Sequence, residues 1–77
     1  MTYPVYMEGY AVQEGRASAH FIGYGSGETF AQAAKDACIK AYGEEETNRY
    51  FSDYGDSATY WGCGLYDNYE EAARTYG

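Results

Sequence analysis

The sequence predicts an α+β domain of order ββαβα: a three-stranded antiparallel sheet, a main helix packed on one face and a short C-terminal helix. Three observations carry this. Two period-two runs, Tyr3–Gln13 and Arg16–Tyr24, flank a link containing Gly15; an alanine stripe at helical spacing fills Phe30–Ala41; and a third alternating run covers Ala58–Tyr66. The 77 residues make one domain, 1–77. A chain this short buries only about 60% of the surface its unfolded form exposes, so the core is small.

The first run puts Val5, Met7, Gly9 and Ala11 on one face and Tyr6, Glu8, Tyr10 and Val12 on the other. The second sets Ala17, Ala19, Phe21 and Gly23 against Ser18, His20, Ile22 and Tyr24. The link Gln13-Glu14-Gly15 fits a three-residue hairpin loop, with Gly15 as its left-handed residue. That loop pairs Val12 with Arg16, Tyr10 with Ser18, Glu8 with His20 and Tyr6 with Ile22. The small-residue face is taken as inner, since a helix needs something flat to lie on. The other face then displays Tyr6, Tyr10, His20 and Tyr24.

Thr29-Phe30-Ala31-Gln32 matches a capping box. Phe30, Ala33, Ala34, Ala37, Cys38 and Ala41 form one helical stripe, and Gly43 supplies the stop. Residues 44–57 are acidic and read mostly as a connection, with a helical turn at Glu45–Arg49 and a fourth short strand at Tyr50-Phe51 as open alternatives. In the third strand, Ala58–Tyr66, the set Thr59, Trp61, Cys63 and Leu65 faces inward. Tyr60 and Tyr66 then lie beside the outer tyrosines, with Gly62 and Gly64 as a trough between them. Asp67 caps the last helix, whose stripe is Tyr69, Ala72, Ala73 and Tyr76.

Composition turns attention from chemistry to surface. The chain holds eleven Tyr, three Phe and one Trp, and its branched aliphatics are Val5, Val12, Ile22, Ile39 and Leu65. Rings and alanines must therefore fill the core. The remaining tyrosines reach the surface, where tyrosine is over-represented in protein–protein contacts. The net charge is −7 and lies mostly in the second half: residues 43–77 carry eight acids against two bases. Such a surface repels nucleic acid and suits a basic protein surface.

No apolar run approaches transmembrane length, and the start MTYPVYMEGY has neither the basic region nor the apolar core of an export signal. A cytoplasmic protein with no membrane contact is expected, and Cys38 and Cys63 are expected to stay reduced thiols. Two cysteines and one histidine are too few for a structural zinc site, so neither metal nor cofactor is expected. His20 opposite Glu8 reads as a surface pair rather than a catalytic base, since no nucleophile accompanies it. Gly23-Tyr24-Gly25-Ser26-Gly27 lacks the lysine and the βαβ setting of a phosphate loop. No catalytic signature is present, and a non-enzymatic protein is expected.

Residues 3–42, a hairpin running into G-x-G and an alanine-periodic helix, resemble the latter half of a double-stranded-RNA-binding domain. That family places phosphate-gripping lysines at the start of this helix, where Glu28, Thr29, Phe30 and Gln32 stand here, and its first helix has no counterpart. The resemblance therefore implies a scaffold without RNA binding. An aromatic sheet face also resembles single-strand binders, but these flank their rings with Lys and Arg.

In size, charge and aromatic texture the whole chain is similar to the small acidic inhibitors made by phages, of the anti-CRISPR type. That resemblance implies a phage protein acting in the host cytoplasm. It would block a basic, nucleic-acid-binding surface of a CRISPR effector subunit by mimicking phosphates. Glu44, Glu45, Glu46, Asp53 and Asp56 are the expected charges, and Tyr6, Tyr10 and Tyr24 the expected anchors. Glu8, His20, Tyr60 and Tyr66 complete the expected partner-binding set. The alternatives are a self-associating module, a homodimer through the tyrosine face, and a nucleic-acid-binding domain, which the charge disfavours.

Overall fold

Two alternating runs give four strands, not two. In a computed structural model, which describes residues 1–12, 15–55 and 57–74 (the side chains of 10–12 and 15–17 excepted), the chain begins β1 (Thr2–Met7), β2 (Tyr10–Val12), β3 (Gly15–Ala17) and β4 (His20–Ser26). It continues α1 (Phe30–Tyr42), α2 (Glu44–Tyr50), β5 (Phe51–Asp53), β6 (Ala58–Tyr60), β7 (Cys63–Tyr66) and α3 (Tyr69–Ala72). The α+β class and the antiparallel sheet stand as predicted. The order ββαβα and the three or four strands do not: one antiparallel sheet has five strands in the order β4-β1-β7-β6-β5, and β2 and β3 form a separate two-stranded ribbon.

The hairpin register differs from the predicted one by a residue. Val12 lies opposite Gly15, Tyr10 opposite Ala17 and Met7 opposite His20. Gly15 is thus a strand partner and not the last loop residue. Gln13 and Glu14, the rest of the predicted loop, lie outside the described residues. Beyond a bulge the predicted register returns: Tyr6 faces Phe21 but Val5 faces Gly23, so Ile22 is the extra residue. The bulge has a packing reason. It turns Ile22 toward a core short of aliphatics and leaves Phe21, predicted to face inward, 46% exposed on the outer face beside Tyr6.

The predicted single strand Ala58–Tyr66 is a hairpin. Trp61 and Gly62 have φ of 57° and 78°, the positive pair of a type I′ turn, and Ala58, Thr59 and Tyr60 face Leu65, Gly64 and Cys63. A two-residue turn places Tyr60 and Cys63 on the same face, whereas a continuous strand would place them on opposite faces. Tyr60, predicted to be exposed, is accordingly buried at 8% exposure, and Trp61, predicted to be buried, is 71% exposed. Residues 44–53, read mostly as a connection, form α2 and β5.

Helix α1 follows its sequence closely. The Thr29 hydroxyl accepts the Gln32 N–H at 3.2 Å, and Gln32 Oε1 accepts the Glu28 N–H at 2.8 Å. Of the predicted stripe, Ala33, Ala34, Ala37 and Cys38 are buried and Phe30 is half-buried, but Ala41 is exposed, and Ala31, off the predicted stripe, is buried instead. The helix approaches β4 so closely that a Cβ on Gly25 would lie 1.7 Å from the Ala33 carbonyl oxygen. Val5, Met7, Ala58, Tyr60 and Leu65 meet this stripe to make the core. The edge strand β4 is tied to α1 from outside: Asp36 Oδ2 accepts the Ser26 N–H at 2.9 Å, and Lys40 Nζ donates to the Tyr24 carbonyl at 3.4 Å.

Asn68, not Asp67, caps α3: its Oδ1 accepts the Glu71 N–H at 2.8 Å, while Asp67 holds the Asn68 amide. The helix is a single turn with Ala72 buried. Tyr76, from its predicted stripe, lies outside the described residues.

Candidate partner-binding surface

Gly43, at φ 94°, ends α1 and begins α2: its N–H donates to Ile39 O at 2.8 Å and its carbonyl accepts from Thr47 N at 3.1 Å. Among the described residues no side chain caps α2, and Glu44, Glu45 and Glu46 fill its first turn, where negative charge offsets the exposed N–H groups. All three are exposed. Among the described residues one cation answers them, Arg49 at 3.7 Å from Glu45; that pair is solvent-exposed on both sides and weakly held. Thr47, fully buried, points the opposite way and seats the helix.

A row of rings adjoins these acids. Tyr42 stacks on Tyr60 at 4.8 Å, Tyr60 meets Tyr50 at 6.0 Å, and Tyr50 meets Trp61 edge-on at 5.1 Å. The Arg49 guanidinium lies 5.9 Å from the Tyr50 ring centre. Burial pushes the phenols of Tyr42 and Tyr60 upward, and the Glu46 carboxylate adds to the shift of Tyr60. Both rings therefore stay neutral at physiological pH.

A second group of rings lies on the other side of the sheet. Tyr6 meets Phe21 at 5.1 Å and Tyr69 at 6.2 Å, and Phe21 meets Tyr24 at 5.3 Å. Tyr24 is 60% exposed. Tyr66 faces Tyr6 across the ladder, and its ring folds back over Gly64, filling the predicted trough: a Cβ there would lie 2.8 Å from the Tyr66 hydroxyl.

The expected partner-binding residues thus fall into separate groups. Tyr6, Tyr24 and Tyr66 share the outer face; Glu44, Glu45 and Glu46 stand in the helical layer on the opposite side, near Tyr60. Asp53 is exposed at the end of β5 and accepts the Gly55 N–H at 2.8 Å. Asp56 and the Tyr10 side chain lie outside the described residues. Glu8 and His20 do not pair, because the register slip sets His20 opposite Met7. Instead Glu8 Oε2 accepts the Gly64 N–H at 2.8 Å, and His20 Nδ1 lies 3.3 Å from Ser18 O.

Sequence reasoning passed over Tyr42, Tyr50 and Trp61 in the ring row, and Phe21 and Tyr69 on the outer face. The signal available for the first three was the Trp61-Gly62 dipeptide, whose glycine between alternating residues marks a hairpin turn.

Neither cysteine is placed for nucleophilic chemistry. Both are free; burial pushes the Cys38 thiol up to about 12, and burial, with the Glu8 carboxylate, raises Cys63. Among the described residues no three His, Cys, Asp or Glu side chains gather as metal ligands, and no helix is long and apolar enough to cross a membrane. A shallow groove of about 320 Å³ is lined by Phe30, Ser57, Leu65, Tyr66, Asp67 and Glu71. Compared with known proteins, the chain matches no family model, no curated protein and no solved structure.

Proposed function

We propose that the chain is a non-enzymatic binding protein that occupies a basic surface on a larger partner. One observation carries the reading: three exposed carboxylates in a single helical turn adjoin a continuous row of rings. Carboxylates speed and orient encounter with a positive surface, and rigid aromatics supply contact area once water is excluded. Cationic surfaces of that kind commonly hold nucleic acid, so the acids of α2 stand where phosphates would. The resemblance to phage inhibitors of the anti-CRISPR type names a CRISPR effector subunit as the partner class. Relative to the sequence-based expectation, the anchors move from Tyr6, Tyr10 and Tyr24 to the rings beside α2.

The test is capture of a partner from host lysate, followed by competition. A single stoichiometric basic partner, displaced by nucleic acid, supports the reading. Glu44→Lys, Glu45→Lys and Glu46→Lys together should weaken the complex at least tenfold, more at low salt than at high. Unchanged affinity in the triple variant refutes it.

The outer face favours a second reading, self-association, because Phe21, Tyr24 and Tyr69 are exposed side by side around Tyr6. Sedimentation should then show a concentration-dependent dimer that Phe21→Ser abolishes. A monomer at every concentration removes it.

A further inference from the structure

Within the ring row one residue is at odds with its backbone. The turn at Trp61-Gly62 calls for positive φ at both positions, which Asn, Asp and Gly adopt readily. Trp61 holds φ 57° instead, a genuine outlier for a bulky side chain. No hydrophobic burial offsets this, because the residue is 71% exposed. The turn itself is well anchored: the Trp61 N–H donates to Tyr50 O at 3.0 Å, so β5 and the end of α2 hold the apex in place. The indole rests edge-on against Tyr50 and is otherwise open.

The helix beside it is net negative, with three carboxylates against the one Arg49 guanidinium. Tyr50 follows Glu46 by four residues in α2, which places that carboxylate one helical turn from the ring supporting Trp61. Glu45 takes up Arg49, and Glu44 and Glu46 have no ion pair among the described residues. The row already binds a cation of its own, since the Arg49 guanidinium sits over Tyr50. Indole is the best of the aromatic faces for such a cation.

We infer that Trp61 is the receptor for an arginine or lysine side chain of the partner, its open ring face taking the cation while Glu44 and Glu46 supply the attracting field. This rests on the proposed basic partner and adds to it a site and a ligand class. The left-handed turn leaves the ring exposed at the end of the row, where an ordinary turn residue would offer no indole face to the partner.

Trp61 is the sole tryptophan, so its fluorescence reports the site directly. The probe is a hexa-arginine peptide, titrated at low salt, with hexaglutamate as control. The arginine peptide should give a saturable change in Trp61 emission that weakens with salt; hexaglutamate should give none. By calorimetry, Trp61→Asn should lower peptide affinity about 3- to 30-fold while leaving thermal stability equal or higher, since Asn suits the turn. Trp61→Phe, which keeps a ring, should fall between the two. Glu44→Gln with Glu46→Gln should weaken binding and leave the emission maximum of the free protein in place. Peptide binding that leaves Trp61 emission unchanged and survives Trp61→Asn overturns this inference alone. Absence of peptide binding to the parent protein overturns it together with the proposed function. Loss of stability in Trp61→Asn, with Trp61→Phe binding no better than Trp61→Asn, also overturns it.

Discussion

Gly25→Ala tests the close approach on which the core depends. A Cβ there would stand 1.7 Å from the Ala33 oxygen, 2.7 Å from the Ala33 carbonyl carbon and 2.8 Å from the Ala37 nitrogen. All three are helix backbone atoms, so no side chain can swing aside, and α1 must withdraw by more than about 1 Å. A gap of that size forfeits up to about half of the dispersion contact between facing atoms. The helix buries Ala31, Ala33, Ala34, Ala37 and Cys38, each a group of methyl size worth roughly 0.8 kcal/mol, or about 4 kcal/mol together. Losing about half of this, with 1–3 kcal/mol of overpacking strain, gives a cost of about 3–5 kcal/mol. A chain of 77 residues has roughly 4–12 kcal/mol in total. Urea unfolding followed by far-UV circular dichroism should therefore show a midpoint lowered by several molar, or no folded baseline at all. Gly55→Ala is the control: its φ is 84° with nothing within 4 Å of the added carbon, so it should cost only the left-handed backbone term, about 1–2 kcal/mol. If Gly25→Ala unfolds no earlier than Gly55→Ala, the helix does not lie on β4 as described.

Thr47 is fully buried and its hydroxyl has no hydrogen-bond partner among the described residues, so Thr47→Val should stabilise the protein by about 1 kcal/mol and raise Tm by about 4–8 °C; a fall in Tm would show that the hydroxyl is bonded. The Ser26 N–H, and after it Lys40, hold the Asp36 carboxyl below the ordinary value of 3.8. A depressed folded value means stabilisation that is complete above that ordinary value and is lost as pH falls through the folded one. Parent and Asp36→Asn should then differ in stability at neutral pH and converge in acid, and a gap that stays constant down to strongly acid pH would refute this. Iodoacetamide at pH 8 should leave Cys38 unmodified in the folded protein and label Cys63 slowly, as read by mass spectrometry, because both thiols are shifted upward; fast labelling of Cys38 would contradict its burial.

The parts of the fold that could be read from sequence were those governed by local repetition. Helix α1 was legible from its cap, stripe and stop because each is set by residues three or four apart, although Ala41 of the stripe is exposed and Ala31, off it, is buried. The strands were legible as strands, but their pairing was not. A three-residue loop without a bulge and a two-residue connection with a bulge at Ile22 use the same number of residues, and alternation alone does not separate them. The core decides between them, because Ile22 is one of few aliphatics available to it.

The hairpin at Trp61-Gly62 was hidden for a different reason. A tryptophan at positive φ breaks the local preference that turn recognition depends on, and the alternating letters ran straight through it. Helix α2 was obscured by its own acids, which read as a solvated connection until the buried Thr47 and the Gly43 junction showed a packed helix. The candidate surface followed these errors. Its acids were legible from composition, but the rings beside them depended on the turn, and their separation from Tyr6 and Tyr24 depended on which face each strand presents.

The two hydrogen bonds from α1 to the rim of β4 change what that strand is. By position β4 is the outermost strand of the sheet, with one side lacking a strand neighbour among the described residues. By chemistry that side is partly occupied, since the Ser26 N–H and the Tyr24 carbonyl are already bonded to side chains of α1. A passing strand finds fewer unmet groups there, and amide exchange at Ser26 should be slow, as in an interior strand. The sheet is therefore asymmetric in its capacity to grow: one border is partly closed by the helix that follows it, and the other, β5, is kept to three residues.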